Sequence, residues 1–421
     1  MKEKRVSELW EEIFNNYKVL DKIKGSGFFE ITAEEIKKYK EPRLMTKFDN
    51  SNSRPPIFKE HKLGILPIDN GKYVIGRFNL YQKLPEKDET KSIKEMMMPD
   101  YLESIDLDNI YSENNALNVA LLSGMINDVI GEDLFETISG RMRSSEFKFT
   151  VDGDSKPTEI DVLKPQIEID GGYEGKNKIV VIEAKNSEPE DFIIRQLYYP
   201  YRFWKTKVDK EIVPVFFTYK NGVFSFYVYK FEDENRYNSI SLAQKNTYKI
   251  IYNNKSRLSL SEIKTIKERR DIPFPQADAF EKIKGIVVLV GDHINTAQDI
   301  AEIYGITPRQ GNYYLSAAKY LDLVKGRKEY NLTKLGEIIY NTDFKQRNLL
   351  LSKQILKHIP FIQVMRKYLE NSILPKKDEV IKIMNSTTIN TTENKEVINR
   401  RASTVRGWIE WINNSSVDIE Q

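Results

Sequence analysis

The chain lacks cysteine altogether and has only three histidines among its 421 residues, at His61, His293 and His358. Without cysteine there are no disulfides, no cysteine-ligated zinc and no thiol nucleophile. The three histidines stand far apart in the sequence, which argues against a histidine-rich metal site. These counts exclude thiol-centred sites and argue against histidine-rich metal sites and HNH-type nucleases.

Long apolar runs and an excess of one charge are also missing. No run of 18 or more apolar residues occurs, and the N-terminal stretch "MKEKRVSELWEEIFNNYKVL" is charged and amphipathic. The sequence therefore predicts a cytoplasmic protein without a membrane span. Lysine and arginine total 65 against 62 aspartates and glutamates, a net charge of +3. Because this balance is near neutral, any nucleic-acid binding must come from local basic patches.

The residue pattern predicts several domains. The boundaries expected are an N-terminal accessory region over 1–100, a central domain over 101–265, a winged helix-turn-helix over 275–340 and a second helical region over 341–421. Helix and strand patterns alternate in the central domain, whereas helical patterns dominate after it. The fold class is therefore α/β, an α+β core with a mixed sheet, followed by a mostly α region.

Two local signals predict structure in the N-terminal region. Thr32 is followed at the third position by Glu35, a capping box that starts a short helix. Apolar and polar residues alternate on both sides of Asn70-Gly71, the dipeptide most typical of a tight hairpin turn. We therefore expect a helix after Thr32 and a β-hairpin around Asn70.

The stretch "QIEIDGGYEGKNKIVVIEAK" holds two strand-like runs that end in charged residues. Successive side chains of a strand point to opposite faces. In the first run, Glu168 and Asp170 therefore share one face. In the second run, Glu183 and Lys185 share one face. If the two runs pair as a hairpin, Asp170 and Glu183 approach each other from neighbouring strands.

Two carboxylates held close together repel each other, and burial raises the cost. A Mg²⁺ ion removes this repulsion, since it takes one or two carboxylates, keeps several waters and binds substrate phosphate. A lysine on the same face can orient water or stabilise negative charge on phosphorus. The set favours metal-assisted hydrolysis of a phosphodiester. The alternative is structural, because strand ends often carry charged residues.

Asp170, followed thirteen residues later by Glu183-Ala184-Lys185 at the end of an apolar strand, resembles the core motif of the PD-(D/E)xK nuclease superfamily. The segment "QIEIDGGYEG…VVIEAKN…RQLYYPYRFW" is further similar to the form of this motif in type II restriction endonucleases. The resemblance implies a restriction-endonuclease-like core. Asp170 and Glu183 would be the Mg²⁺ ligands and Lys185 the catalytic lysine. Ile169 stands where the motif's name has proline, a departure common in the superfamily.

The resemblance, which covers about 113–207, also implies further site residues. Many members use a carboxylate from the helix before the core strands and a glutamine or lysine from the helix after them. Glu113 and Gln196 are the corresponding candidates here. Glu168 is the alternative acidic ligand. The implied cofactor is Mg²⁺, with Mn²⁺ as its substitute.

The segment 187–207, which follows the motif, is predicted to form one helix. Ser187 can cap it, Pro189 suits its first turn, and Glu190 completes a capping box. Its aromatic residues predict packing on the sheet, and Pro200 predicts a kink or the end of the helix.

The segment "NTAQDIAEIYGITPRQGNYYLSAAKYLDLV" has the order helix, turn, helix. Thr307 caps the second helix and Pro308 occupies its first position. In a helix-turn-helix the first residues of this second helix enter the major groove of DNA. The residues expected at the exposed, DNA-facing start of this helix are Arg309, Gln310, Asn312 and Tyr313, and the first three are of types that read base edges. The residues expected to contact phosphates from the wing are Lys325, Arg327 and Lys328.

The last segment, 387–414, resembles a second helix-turn-helix. The residues expected to face DNA are Arg400, Arg401, Ser403, Thr404 and Arg406. Trp408 belongs to an apolar helical stripe and is predicted to lie in the core. For the first of these two segments, the alternative is a protein–protein module.

Together with the resemblance, these features predict a Mg²⁺-dependent, sequence-specific endonuclease of double-stranded DNA, of the type II restriction class. A winged helix beside a PD-(D/E)xK core is known among restriction enzymes, which is an argument by analogy. No Asp/Asn-Pro-Pro-Tyr/Phe motif and no Walker A lysine loop occurs, so a separate methyltransferase is expected to protect the host. Palindromic sites favour a homodimer. The alternatives are a methylation-dependent or structure-specific nuclease with the same site, and a non-enzymatic DNA-binding regulator.

Overall fold

The computed structural model describes residues 5–86, 93–99, 101–102, 104–105, 107, 110, 112–154, 156–251, 255–269, 271–387 and 394–420. The chain folds into two compact units that interleave along the sequence. The first unit comprises Met1–Ser92, Ile126–Thr218 and Ser225–Asn246; the second comprises Ile93–Met125, Tyr219–Phe224 and Thr247–Gln421. The predicted N-terminal region therefore shares a unit with most of the predicted central domain.

Helices and strands are numbered separately in chain order. The helices are α1 Val6–Tyr17, α2 Val19–Ser26, α3 Ala33–Lys37, α4 Pro42–Thr46, α5 Pro56–Glu60, α6 Glu113–Leu122, α7 Met125–Ile130, α8 Arg195–Lys205, α9 Phe280–Gly291, α10 Ala297–Ile303, α11 Pro308–Tyr320, α12 Lys334–Tyr340, α13 Phe344–Leu356, α14 Ile359–Asn371, α15 Lys377–Ser386 and α16 Lys395–Asn414. The strands are β1 Phe28–Thr32, β2 Gly64–Asp69, β3 Lys72–Gly76, β4 Tyr81–Lys83, β5 Lys94–Met96, β6 Phe135–Arg143, β7 Phe147–Val151, β8 Thr158–Val162, β9 Gln166–Glu174, β10 Lys178–Lys185, β11 Asp191–Ile193, β12 Glu211–Lys220, β13 Val223–Phe231, β14 Ile240–Ile250, β15 Ser256–Ser259, β16 Val324–Gly326, β17 Tyr330–Leu332 and β18 Val417–Glu420. Among the described helices, none combines the length and the hydropathy needed to cross a membrane.

The N-terminal part of the first unit is built on a three-stranded antiparallel sheet in the order β1–β3–β2. Asn70-Gly71 forms the turn between β2 and β3, and Gly71 adopts the left-handed backbone with φ 77°. The capping box is also present, since Glu35 N donates to Thr32 Oγ1 at 3.2 Å and Thr32 N donates to Glu35 Oε2 at 2.8 Å. Both local predictions are confirmed.

The main sheet of the first unit has its strands in the order β14–β13–β12–β10–β9–β6. β9 and β10 are antiparallel neighbours, as the predicted hairpin requires, whereas β10 and β12 run parallel. The sheet is therefore mixed, and the prediction of a mixed α/β fold is confirmed at this level. β10 is buried at every position from Ile179 to Ala184, which is typical of a strand covered on both faces. Glu183 is consequently held inside the protein.

The single helix predicted over 187–207 is wrong in its first half. Residues Asp191–Ile193 form β11, which pairs with β4, so α8 begins only at Arg195. Pairing with a strand distant in sequence overrides the local capping signals. Of the two outcomes predicted for Pro200, the end of the helix does not occur, since α8 continues through it; α8 packs on β9 and β10 with Leu197 in the core.

One hydrophobic core runs through the second unit, from Leu258 to Val417. The regions predicted as separate domains over 275–340 and 341–421 both contribute to it, so they form one unit. The elements α9, α10, α11, β16 and β17 follow one another, and α11 packs on α9 and α10. In the described part of the segment 387–414, α16 is one continuous helix, so no second helix-turn-helix is seen there.

Trp408 lies at the centre of this core, as the apolar stripe predicts. Its side chain is fully buried, and its Nε1 donates a hydrogen bond to Ala277 O at 2.7 Å. Its ring stacks on Phe361 with 4.9 Å between centroids and contacts Phe280 edge-on at 5.2 Å.

Trp408→Ala should lower the free energy of unfolding of the second unit by about 3–5 kcal/mol, because it leaves a cavity and an unpaired carbonyl. Urea unfolding followed by circular dichroism measures the change. Ile373→Ala, at a side chain that is 65% exposed, is the matched control and should leave the midpoint unchanged. Equal midpoints for both variants would contradict the central role of Trp408.

Candidate active site

Asp170 and Glu183 lie on neighbouring strands at the same end of the β9–β10 hairpin. The last pair of the ladder is Gly171 with Ile182, so Asp170 and Glu183 stand one position further along, opposite each other. Ala184 N donates a hydrogen bond to Asp170 Oδ2 at 2.8 Å. This bond fixes the Asp170 carboxylate against the strand that carries Glu183. The structure thus brings the two acidic residues of the motif together.

The Glu183 carboxylate is buried and is held from two sides. Lys185 Nζ and Gln196 Nε2 both donate to Glu183 Oε1. Lys185 Nζ also donates to Ala184 O at 3.0 Å. Because Gln196 is the second residue of α8, the helix that packs on the sheet contacts the strand-end carboxylate directly. Four predicted site residues, Asp170, Glu183, Lys185 and Gln196, therefore meet in one place.

Burial dominates the electrostatics of this cluster. It raises the pKa of Glu183 to about 8, even though the charge of Lys185 lowers that pKa; the charge of Asp170 raises it further. Burial likewise raises the pKa of Asp170, against the opposing effects of Lys185 and of the hydrogen bond from Ala184 N. The single lysine does not fully compensate the two carboxylates, so the site favours a proton or a cation.

A further oxygen atom suited to a hard cation is available here. Gln196, whose Nε2 donates to Glu183, has a buried Oε1 without a hydrogen-bond partner among the described residues. Buried acceptors in folded proteins nearly always have a partner. Since Mg²⁺ takes oxygen ligands, the residues present fit that ion. In the described part of the chain, no three histidine, cysteine, aspartate or glutamate side chains form a metal cage on their own.

The two other acidic candidates have different surroundings. Glu168, on β9, pairs with Arg141 on β6 at 3.2 Å, and its side chain is 52% exposed. Its charge reaches Asp170, but one of its carboxylate oxygens is already engaged by Arg141. Glu113 belongs to the second unit, where it starts α6. Burial lowers the pKa of Lys282 there, and the charge of Glu113 opposes that shift. A catalytic role for Glu113 stays a prediction.

Asp49, in the loop between α4 and α5, is an acidic residue near the site that no sequence motif indicates. Its charge raises the pKa of both Asp170 and Glu183, as a smaller effect than their burial. Its backbone oxygen accepts a hydrogen bond from Ile193 N at 2.9 Å, at the end of β11. No sequence motif connects position 49 with the later carboxylates, because only tertiary contacts join them.

The residues predicted to face DNA from the recognition helix lie at the start of α11. Arg309 and Asn312 are exposed and Tyr313 is partly exposed. Arg309 Nε donates to Tyr313 OH at 3.1 Å. Gln310 Oε1 accepts from Thr307 N at 2.9 Å and from Thr307 Oγ1 at 3.0 Å, so this side chain caps the helix. The predicted wing residues Lys325, Arg327 and Lys328 are exposed on the β16–β17 hairpin.

The basic cluster predicted on the last helix is not one exposed surface. Arg401 is only 6% exposed and Thr404 is fully buried, where its Oγ1 donates to Arg400 O at 3.1 Å. Arg400 is exposed and pairs with Glu396, while Arg406 is partly buried. The prediction is therefore wrong for Arg401 and Thr404, which lie on the buried side of α16, the helix that packs into the core of the second unit.

Three family models match the chain, and each is described as a domain of unknown function. They are DUF6996 over residues 7–75, DUF6997 over 76–249 and DUF7226 over 283–416. No curated protein and no solved structure matches. DUF6997 covers Asp170, Glu183, Lys185 and Gln196, whereas Asp49 falls within DUF6996. DUF7226 spans both predicted C-terminal regions, in agreement with their shared core.

The raised pKa of Glu183 predicts a pH dependence of stability in the metal-free protein. Between the ordinary range of a glutamate and about pH 8, the folded protein keeps the Glu183 proton while the unfolded chain has lost it. The unfolded state therefore binds fewer protons, so the contribution of Glu183 to the free energy of unfolding falls as pH rises through this window.

Urea unfolding in EDTA at several pH values from about 5 to about 9 measures this slope. Glu183→Gln cannot ionise and should remove that contribution. Glu159→Gln, at an exposed position on β8, should keep the wild-type slope. If Glu183→Gln also keeps it, the proton is not held by Glu183.

Proposed function

We propose that this chain is a Mg²⁺-dependent, sequence-specific endonuclease that hydrolyses double-stranded DNA, with a PD-(D/E)xK active site. The observation that carries the proposal is the convergence of Asp170, Glu183 and Lys185, with Gln196, at one end of the β9–β10 hairpin. A purely structural sheet has no physical reason to bury two carboxylates that repel each other.

The chain's own residues divide the work. Asp170 and Glu183 would hold the cation, whose chemistry is to polarise the phosphate and to activate a water. Lys185 Nζ, positioned by Glu183 and by Ala184 O, carries positive charge to the strand end, where it stabilises negative charge on the phosphate oxygens. Gln196 donates to Glu183 and so keeps that carboxylate in place from the start of α8.

The second unit supports DNA binding on independent grounds. The order α9, α10, α11, β16, β17 is that of a winged helix, and Thr307 caps α11 at 3.3 Å from Gln310 N. Arg309 and Asn312 are exposed at the start of α11, where a recognition helix meets base edges. Lys325, Arg327 and Lys328 provide an exposed basic hairpin suited to phosphates.

The biological setting belongs to the same proposal. A type II restriction role implies a separate DNA methyltransferase in the host, and a two-fold symmetric site implies a homodimer. Mn²⁺ should replace Mg²⁺, because it accepts the same oxygen ligands.

Wild-type protein should cut unmethylated plasmid and phage DNA into discrete fragments with Mg²⁺ and not with EDTA. Asp170→Asn, Glu183→Gln and Lys185→Met should each slow cleavage roughly a hundredfold or more, since each removes a group that acts on the reacting phosphate. Glu159→Gln, on an exposed strand position, should cut at the wild-type rate. Initial rates on a labelled plasmid give the comparison.

Other outcomes would redirect the assignment. Cutting restricted to methylated DNA would identify a methylation-dependent nuclease with the same site. Retarded migration of DNA without cutting, for unmodified and methylated DNA alike and with either metal, would instead favour a non-enzymatic regulator.

DNA binding by the predicted contact residues of the second unit can be measured in the Asp170→Asn variant, in which DNA cleavage should be strongly slowed. Lys328→Ala should weaken binding about equally for all sequences and reduce the salt-dependence slope by about 1. Arg309→Ala should reduce discrimination between cognate and altered sites by about 1–3 kcal/mol. Lys353→Ala, an exposed position on α13, is the control. Equal losses for Arg309→Ala on every sequence would place Arg309 at phosphates.

A further inference from the structure

The loop that carries Asp49 is attached to the first unit at neighbouring points. Tyr81 OH donates to Phe48 O at 3.1 Å, and Ile193 N donates to Asp49 O at 2.9 Å. Tyr81 and Ile193 are themselves partners across the β4–β11 pair. The backbone of Asp49 is therefore fixed beside Ile193, three residues before Gln196 in the chain.

Buried Asp191 adds a further attachment. Its Oδ1 accepts a hydrogen bond from Ser51 N at 2.7 Å, and only 8% of the residue is exposed. Asn52 Nδ2 also donates to Glu190 at 3.3 Å. The loop is therefore held on both sides of Asp49, at residues 48, 51 and 52, as well as through the carbonyl oxygen of Asp49 itself.

The Asp49 carboxylate contrasts with that of Asp191. Asp49 is partly buried, yet its side chain accepts no hydrogen bond from the described residues. Its charge nevertheless reaches Asp170 and Glu183. Asp49 is thus a third acid near the pair, with oxygens that the described fold does not use.

We infer that Asp49 is a positioning residue that accepts hydrogen bonds from water molecules carried by the cation at the Asp170–Glu183 site. The inference rests on the proposed function. A Mg²⁺ site with only two carboxylates retains several waters, and acceptors around those waters orient the ion. A contact of Asp49 with bound water, and not with the ion itself, agrees with the finding that no three acidic side chains among the described residues form a metal cage. The N-terminal region would then supply part of the active site.

Mn²⁺ binding by isothermal titration, without DNA, tests this role apart from activity. Asp49→Asn should weaken Mn²⁺ binding on the order of tenfold, the lower end for loss of an outer-sphere partner. Asp49→Ser keeps the backbone hydrogen bond to Ile193 and should show at least the same loss. Asp49→Glu, which restores the carboxylate, should recover part of it. Thermal unfolding in EDTA checks that each variant is folded.

Two matched variants separate a specific role from charge alone. Asp21→Asn, exposed on α2, should bind Mn²⁺ as the wild type does. Glu168→Gln removes another charge that acts on Asp170, but from a side chain engaged by Arg141, so its effect should be smaller than that of Asp49→Asn.

The outcomes are distinguishable. Wild-type affinity in Asp49→Asn, or an equal loss in Glu168→Gln, overturns the role of Asp49 while leaving the metal site in place. If the wild type binds no Mn²⁺ at all, or if Asp170→Asn binds it as tightly as the wild type, the proposed function fails and this inference fails with it.

Discussion

The hydrogen bond from Ala184 N to Asp170 Oδ2 is the contact on which the site depends. It joins β9 to β10 just beyond the last pair of their ladder, Gly171 with Ile182, and so holds Asp170 beside Glu183. A slip of one residue would turn the side chains of a strand to the opposite face and separate the two carboxylates. Gln196 reaches Glu183 from α8, which packs on β9 and β10, whereas Lys185 reaches it from the same strand, two residues further along β10.

The same geometry makes the site costly for the folded state. β10 is buried on both faces, so Glu183 lies where water cannot solvate its charge, and burial outweighs the neighbouring lysine. A protein selected only for stability would place apolar side chains there. Tension between stability and a charged site is typical of functional centres, which is why the raised pKa of Glu183 supports the proposed chemistry.

The sequence predicted what depends on neighbouring residues. The hairpin at Asn70-Gly71 and the pairing that joins Asp170 with Glu183 follow from alternation and turn chemistry over short spans. The start of α8 could not be predicted because the residues before it, Asp191–Ile193, pair with β4, which is distant in sequence. The position of Asp49 depends on the same β4–β11 pair, since Ile193 N donates to Asp49 O. The prediction for Arg401 is wrong because the sequence of a long helix shows which residues share a face, but not how much of the helix surface is buried.

The interleaving of the two units has a consequence for how the chain can be assembled and altered. Each unit draws on three separate stretches, and the first is complete only when residues up to Asn246 have been made. No single cut or fusion point divides the protein into two independent halves. A recombination event that exchanged one whole unit would need several crossovers at once. Because the stretches of the two units alternate along the chain, the two units are inherited together, as the parts of a single domain are.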